Sequence, residues 1–297
     1  MLLRQVDLAM YESKKNVRSY TLYTAALESS AADNLNIATR LKQAIAQQEF
    51  ELWYQPPVDL TDGNVCGAEA LIRWPQPDGN YIPPDKFIKI AEQSSQITQI
   101  TEWVMNKAKE DIQRFTQANL NLCVHLNLSV KDLQCPLIVD KIKAIYSEDA
   151  GADHKLMLEV TESAMMTDVV KVKTTMQEIA NTGLVFSIDD FGTGYSSLAL
   201  LRDLPVSQIK IDRSFISDMV RNKDDLAIVK STIYLAQHLG CNIVAEGVED
   251  VQTSHLLKTL GCDYAQGYYF SKPLKIESFI HFAESYRSVG SLNVSKV

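Results

Sequence analysis

From residue 33 to about residue 285, short apolar runs rich in β-branched and aromatic residues alternate with amphipathic stretches. A parallel sheet with crossover helices has this pattern. The runs Glu51 to Asp59, Val65 to Trp74, Leu122 to Ser129, Lys155 to Thr161, Leu184 to Asp190, Gln208 to Asp212, Asn242 to Gly247 and Tyr264 to Phe270 read as strands. Between them, Ile97 to Phe115, Pro136 to Tyr146, Val169 to Ala180, Asp224 to Leu239 and Gln252 to Leu260 repeat apolar residues near the helical period. About eight strands in roughly 250 residues match a (β/α)8 barrel. One junction breaks the alternation. Only Thr61, Asp62, Gly63 and Asn64 separate the first two runs, too few for a crossover helix, so this pair is expected to form an antiparallel hairpin. The expected fold class is therefore α/β, an irregular (β/α)8 TIM-type barrel with an antiparallel first strand. A doubly wound open sheet competes with it, but that fold normally carries a Gly-rich first βα turn, and the sequence has none.

The first thirty or so residues read differently. Leu2 to Tyr11 has the pattern of an amphipathic helix, followed by the basic residues Lys14, Lys15 and Arg18 and a polar, Ala- and Ser-rich stretch from Thr24 to Asp33. Asp33 is placed to cap a helix over Leu35 to Gln47, taken as the start of the main domain. The expected organisation is a leading segment at 1–32, a barrel at 33–285 and a tail at 286–297.

Composition narrows the function classes. With 46% apolar and 22% charged residues in 297, the chain can bury a sizeable core, and disorder is excluded. No apolar run approaches the ~20 residues of a spanning helix, and no basic stretch leads into an apolar signal core. The five cysteines are scattered without a C-x-x-C pair. Neither a disulfide framework nor a zinc knuckle is indicated, and a reducing cytoplasm fits best. The net charge of −8 disfavours wrapping a nucleic-acid polymer, and no membrane contact is expected of this stretch. A phosphate ligand would need a few placed basic residues or bound metal.

The placement of the acids favours metal. Glu69, Glu159 and Glu162, Asp189 and Asp190, Asp212, and Glu246 fall on or at the ends of five different predicted strands that are otherwise apolar. Carboxylates converging on one barrel mouth would repel one another unless cations lay between them. Side-chain alternation puts Glu69, Leu71 and Arg73 on one face, as it does Asn127 with Ser129 and Lys210 with Asp212. The adjacent Asp189 and Asp190 fall on opposite faces unless the strand has ended, which the following Phe191-Gly192-Thr193-Gly194 suggests. Oxygen-rich ligation favours Mg2+ or Mn2+, and sometimes Ca2+, over zinc. His125, His154, His238 and His255 lack metal-binding spacing. Two such ions about 3.5 to 4 Å apart activate water and clamp a phosphoryl group, the arrangement of a phosphodiesterase. Lys210 is placed to orient or deprotonate that water.

The run Glu69-Ala70-Leu71-Ile72-Arg73-Trp74 resembles the signature that names the EAL family of cyclic di-GMP phosphodiesterases. The resemblance covers about Leu41 to Leu274. It extends through Tyr54-Gln55-Pro56, Asn127-Leu128-Ser129, Glu159-Val160-Thr161-Glu162, Asp189-Asp190-Phe191-Gly192-Thr193-Gly194-Tyr195-Ser196-Ser197, Lys210-Ile211-Asp212, Glu246-Gly247-Val248-Glu249 and Gln266-Gly267-Tyr268. It implies metal ligands at Glu69, Asn127, Glu159, Asp189, Asp190 and Glu246, with Asp189 bridging two divalent cations. Mg2+ or Mn2+ would support activity and Ca2+ would inhibit it. It also implies that Lys210 acts on the nucleophilic water and that Glu162 braces the loop after Asp190. Gln55, Leu71, Arg73, Asp212 and Gln266 would line the dinucleotide cleft, Arg73 on a phosphate. The implied product is linear pGpG and the implied assembly a homodimer. Val6-Asp7-Leu8-Ala9-Met10-Tyr11 with Lys14 and Arg18 resembles the closing tail of a GGDEF diguanylate cyclase domain, with Val17 where a glycine is usual. Such a protein would be cytoplasmic, or anchored to a membrane through parts outside this stretch. Pro57 departs from the family, which usually has an aliphatic residue there.

Blander readings compete. A lysine near a strand end is usually solvated. Glu249 fits a helix N-terminal charge better than a ligand, and Tyr268, Tyr269 and Phe270 fit packing better than base stacking. A catalytically silent cyclic di-GMP receptor is the alternative function, and another metal-dependent barrel enzyme a remoter one.

Overall fold

Pro56 and Pro57 have no amide hydrogen to give to a sheet, and the first predicted strand breaks at them into β1 (Glu51–Gln55) and β2 (Val58–Asp59). The pieces part company in the computed structural model, which describes residues 5–7, 9, 10, 13, 20–146, 156–166, 168–194 and 198–293. β1 pairs antiparallel with β3 (Gly67–Pro75), setting Gln55 opposite Glu69. β2 pairs antiparallel with β10 (Tyr264–Ala265). Between β3 and β10 the sheet runs parallel through β5 (Cys123–Asn127), β6 (Leu156–Thr161), β7 (Val185–Phe191), β8 (Val206–Ile211) and β9 (Asn242–Ala245). The path runs from β11 (Leu274–Lys275) through β1 and ends at β2, so residues 51–59 supply its second strand and its last. This is the α/β barrel with an antiparallel first strand that the pattern implied. The proline break costs little, because the Pro57 carbonyl still accepts from the Cys66 amide at 3.1 Å.

The helices are α1 (Ala25–Gln47), α2 (Pro84–Gln93), α3 (Ile97–Gln117), α4 (Val130–Leu133), α5 (Ile138–Tyr146), α6 (Glu162–Met165), α7 (Val169–Ala180), α8 (Leu198–Asp203), α9 (Arg213–Ile216), α10 (Lys223–Leu239), α11 (Val251–Thr259) and α12 (Ile276–Asn293). Several expectations are corrected. Asp33 caps nothing. The Ala-rich stretch before it favours helix, so α1 runs straight through it, and its carboxylate lies 3.6 Å from Lys86. Residues 33 and 286 both lie within helices, which leaves the expected domain organisation untested. Tyr264 to Phe270 is a strand only to Ala265, because the chain turns at Gly267, where a Cβ would collide with the Val248 backbone. The two-residue strands β4 (Tyr81–Ile82) and β11 (Leu274–Lys275) are too short to show a period. Lys14, Lys15, Val17, Arg18, His154, Lys155 and Tyr195 to Ser197 lie outside the described residues. Of Leu2 to Tyr11, residues 5–7, 9 and 10 are described and helical.

The chain divides into two units, residues 1–50 with 74–97 and residues 51–73 with 98–297. The first packs Phe50, Trp74 and Phe87 with ring centroids 5.6 to 5.8 Å apart. The second holds the sheet. Along β5 to β8, Val124, Leu126, Leu158, Val160, Phe186, Ile188, Ile209 and Ile211 are buried and alternate with the buried polar residues His125, Glu159, Ser187, Gln208 and Lys210. The apolar set serves one face of the strands and the polar set the other. No helix among the described residues is long and apolar enough to cross a membrane.

Candidate active site

Three strands run directly into short helices whose caps lie at the strand ends. Ser129 accepts from the Lys131 amide, Thr161 from that of Ala164 and Asp212 from that of Ser214. Each cap turns the chain aside, so Asn127, Glu159 and Lys210, on the polar faces of their strands, stand near the end of the sheet. β7 reaches the same place differently. The strand does not end at Asp190, as expected, but continues to Phe191. Instead Asp190 adopts a left-handed φ of 55°, and the pairing with β8 shifts register between Ile188 and Phe191. This bulge brings two adjacent aspartates to one site. Oxygens of Asp189, Asp190 and Glu246 lie within 4.8 Å of one another.

Lys210 is the hub. Its ammonium lies 2.8 Å from Glu159, 2.7 Å from Glu246, 3.3 Å from Asp189 and 3.6 Å from Glu69, and its side chain is 1% exposed. Of the acids expected to converge, Glu69, Glu159, Asp189 and Glu246 thus gather around a buried lysine, not the solvated one a strand end usually carries. Burial opposes its charge, but Asp189, Glu159, Glu246 and Glu69 hold it well above the ordinary lysine value. One ammonium cannot neutralise all these acids. For Glu159 burial opposes ionisation, but Lys210 and His125 outweigh it and bring the group down to about 2. Asp189 is left in deficit. Burial raises it against the pull of Lys210, and with Glu159 and Glu69 adding to the effect it reaches about 7. Burial likewise drives Glu246 well up, and burial with the neighbouring Asp212 raises Asp190. A surplus of buried, hard oxygen donors on one side of a single ammonium fits divalent cations.

The other expected residues surround this hub. Asn127 donates to Glu69 at 3.3 Å, and Gln266 donates to the other Glu69 oxygen at 2.5 Å and to Gln55 at 3.3 Å. Gln55 in turn donates to the Ser271 carbonyl at 3.1 Å. Leu71 pairs across from Trp53, and the Arg73 guanidinium sits 5.7 Å over the Trp53 ring. Asp212 is engaged by the Ser214 amide and hydroxyl. Glu249 directly precedes Asp250, the cap of α11, where a helix N-terminal charge is expected. Another blander reading changes. Tyr268 and Tyr269 are 60% and 43% exposed, because the turn at Gly267 swings them out of the core. One residue was missed. His125 bonds Glu159 at 2.8 Å, and its only signal in the sequence was its even spacing from Asn127.

Glu162, 2% exposed, accepts from the Gly192 amide at 2.8 Å and the Gly194 amide at 3.2 Å. A Cβ on Gly194 would press on its carboxyl carbon at 3.0 Å. Glu162→Ala would strip two amides of their acceptor, at ~1–3 kcal/mol for each that stays buried and unsatisfied. Amide exchange at Gly192 and Gly194 should then accelerate while exchange in the middle of β6 holds. Uniform acceleration would mean that Glu162 supports the whole sheet, not this loop.

A family model described as EAL domain matches residues 38–273. Cyclic di-GMP phosphodiesterase NbdA of Pseudomonas aeruginosa is 37% identical over 288 residues, 96% of this chain and 37% of NbdA. The bifunctional diguanylate cyclase/cyclic di-GMP phosphodiesterase MucR of the same organism is 35% identical over 283 residues, 94% of this chain and 41% of MucR. The chain thus spans about two-fifths of the length of these curated relatives. Among solved structures, the PaMucR phosphodiesterase in complex with c-di-GMP matches with a TM-score of 0.78 at 36% identity, over 82% of this chain and 99% of that one.

Proposed function

This chain belongs to the EAL-domain family, and from that membership we propose that it is a cyclic di-GMP phosphodiesterase, opening the cyclic dinucleotide to linear pGpG. The observation that carries the reading is the gathering of Glu69, Glu159, Asp189 and Glu246 within 3.6 Å of the Lys210 ammonium. Residues far apart in sequence meet there in the chemistry that phosphodiester hydrolysis needs. Glu69, Asn127, Glu159, Asp189, Asp190 and Glu246 would hold two cations, Mg2+ or Mn2+ by the hardness of the donors, and the family resemblance makes Ca2+ inhibitory. When bound, such ions lower the pKa of water and neutralise charge on the attacked phosphoryl group. Lys210 orients the attacking water. Arg73 contacts a phosphate, Gln55, Leu71, Asp212 and Gln266 line the cleft, and Glu162 steadies the loop that follows Asp190. The names of NbdA and MucR support this substrate. The bifunctional name of MucR also supports reading residues 1–32 as the tail of a GGDEF-like domain. A cytoplasmic homodimer, joined through helices near the loop after Asp190, completes the reading.

Incubation of the chain with cyclic di-GMP and Mg2+ or Mn2+ tests it. Release of pGpG is expected, whereas saturable binding without product would establish a receptor. Metal affinity should also depend on pH. With Asp189 at about 7 and Glu246 raised, protons occupy the ligands below that pH and must leave when a cation binds. Calorimetry near pH 6.5 should therefore register proton release and weaker binding than at pH 8. Identical affinities at both pH values would contradict the crowding of these acids.

A further inference from the structure

We infer that His125 is a positioning residue, fixing the carboxylate of Glu159 for cation binding, an inference that rests on the phosphodiesterase reading above. His125 lies on β5 two residues before Asn127 and is 5% exposed. A carboxylate can only accept, so the 2.8 Å contact between His125 Nδ1 and Glu159 Oε1 is a donation from the ring. The other oxygen, Oε2, takes the Lys210 ammonium at 2.8 Å. Glu159 is thus gripped at both oxygens from two other strands, β5 and β8. That grip sets the rotation of its carboxylate and leaves the second lone pair of each oxygen for another ligand.

The ring is itself held. At Gly67 a Cβ would meet the Cys123 carbonyl at 2.9 Å, the Pro57 ring at 3.1 Å and His125 Nε2 at 3.4 Å. The missing side chain at Gly67 leaves the imidazole its room. Hydrogen bonds to ligating carboxylates orient them, and their loss typically weakens metal affinity roughly 10–100-fold.

The test is titration of the full chain with Mn2+ alone, free Mn2+ being read by electron paramagnetic resonance and folding by thermal melting. His125→Asn places an amide N–H near the position of Nδ1, His125→Gln places one near Nε2, and His125→Leu has none. Expected is Mn2+ affinity within about threefold of the parent for the Asn variant and a loss of roughly 10–100-fold for the Gln and Leu variants. Equal affinity in all three would overturn the inference while leaving the phosphodiesterase reading intact. Equal loss in all three, or loss of folding in all three, would overturn it too, because the ring would then be filling space and not directing a carboxylate. Failure of the parent chain to bind Mn2+ would sink the metal-dependent reading itself.

Discussion

Asp189→Ala, and separately Glu69→Ala, is expected to abolish pGpG formation even in saturating Mg2+ or Mn2+. Asp189 sits where two groupings meet. It shares one cluster with Asp190 and Glu246 and touches Lys210 together with Glu159 and Glu69. Removing it takes an oxygen donor from both sides of the site at once. Glu69 holds Asn127 and Gln266 through its two oxygens, so its loss also frees two neighbouring side chains. Residues that merely support a ligand are worth roughly 10–100-fold, and a direct ligand should exceed that. Product formation within tenfold of the parent rate under metal saturation would show that neither carboxylate binds the cations.

Much of the arrangement behind that prediction was legible in the sequence, because β3 and β5 to β8 are long enough to show which residues share a face. β5 to β9 emerged from their apolar runs, and the short link between Asp59 and Val65 announced the antiparallel start. What escaped was set by contacts that no period encodes. The bulge at Asp190 depends on the pairing of β7 with β8, and no residue of β7 alone reports it. Asp33 looked like a cap because it follows an Ala- and Ser-rich stretch that reads as linker, yet the same composition extends α1. His125 lacks metal-binding spacing, and nothing along β5 but its even spacing from Asn127 marks it. Its role is visible only once β6 lies beside β5 and brings Glu159 within reach. The burial of Lys210 was equally hidden, since its partners come from four other stretches of chain.

That burial leads to the second large effect. Lys210→Met should cut turnover far more than substrate affinity, and should destabilise the fold mainly when metal is absent. Methionine fills a similar volume but leaves Glu159 and Glu246 without the ammonium they now contact at 2.8 and 2.7 Å. Breaking a buried pair in this way typically costs ~3–5 kcal/mol, because the remaining charge has no compensation. Cations bound to the same carboxylates would supply that compensation, so the deficit in melting temperature measured in EDTA should shrink as Mg2+ or Mn2+ is added. Turnover should not recover with it. A group that orients the attacking water acts in the transition state, so kcat and kcat/KM should fall together with KM little changed. If the melting deficit is the same with and without metal, the cations do not share carboxylates with Lys210. If the rate is unchanged, the lysine serves only to hold the acids together until metal arrives.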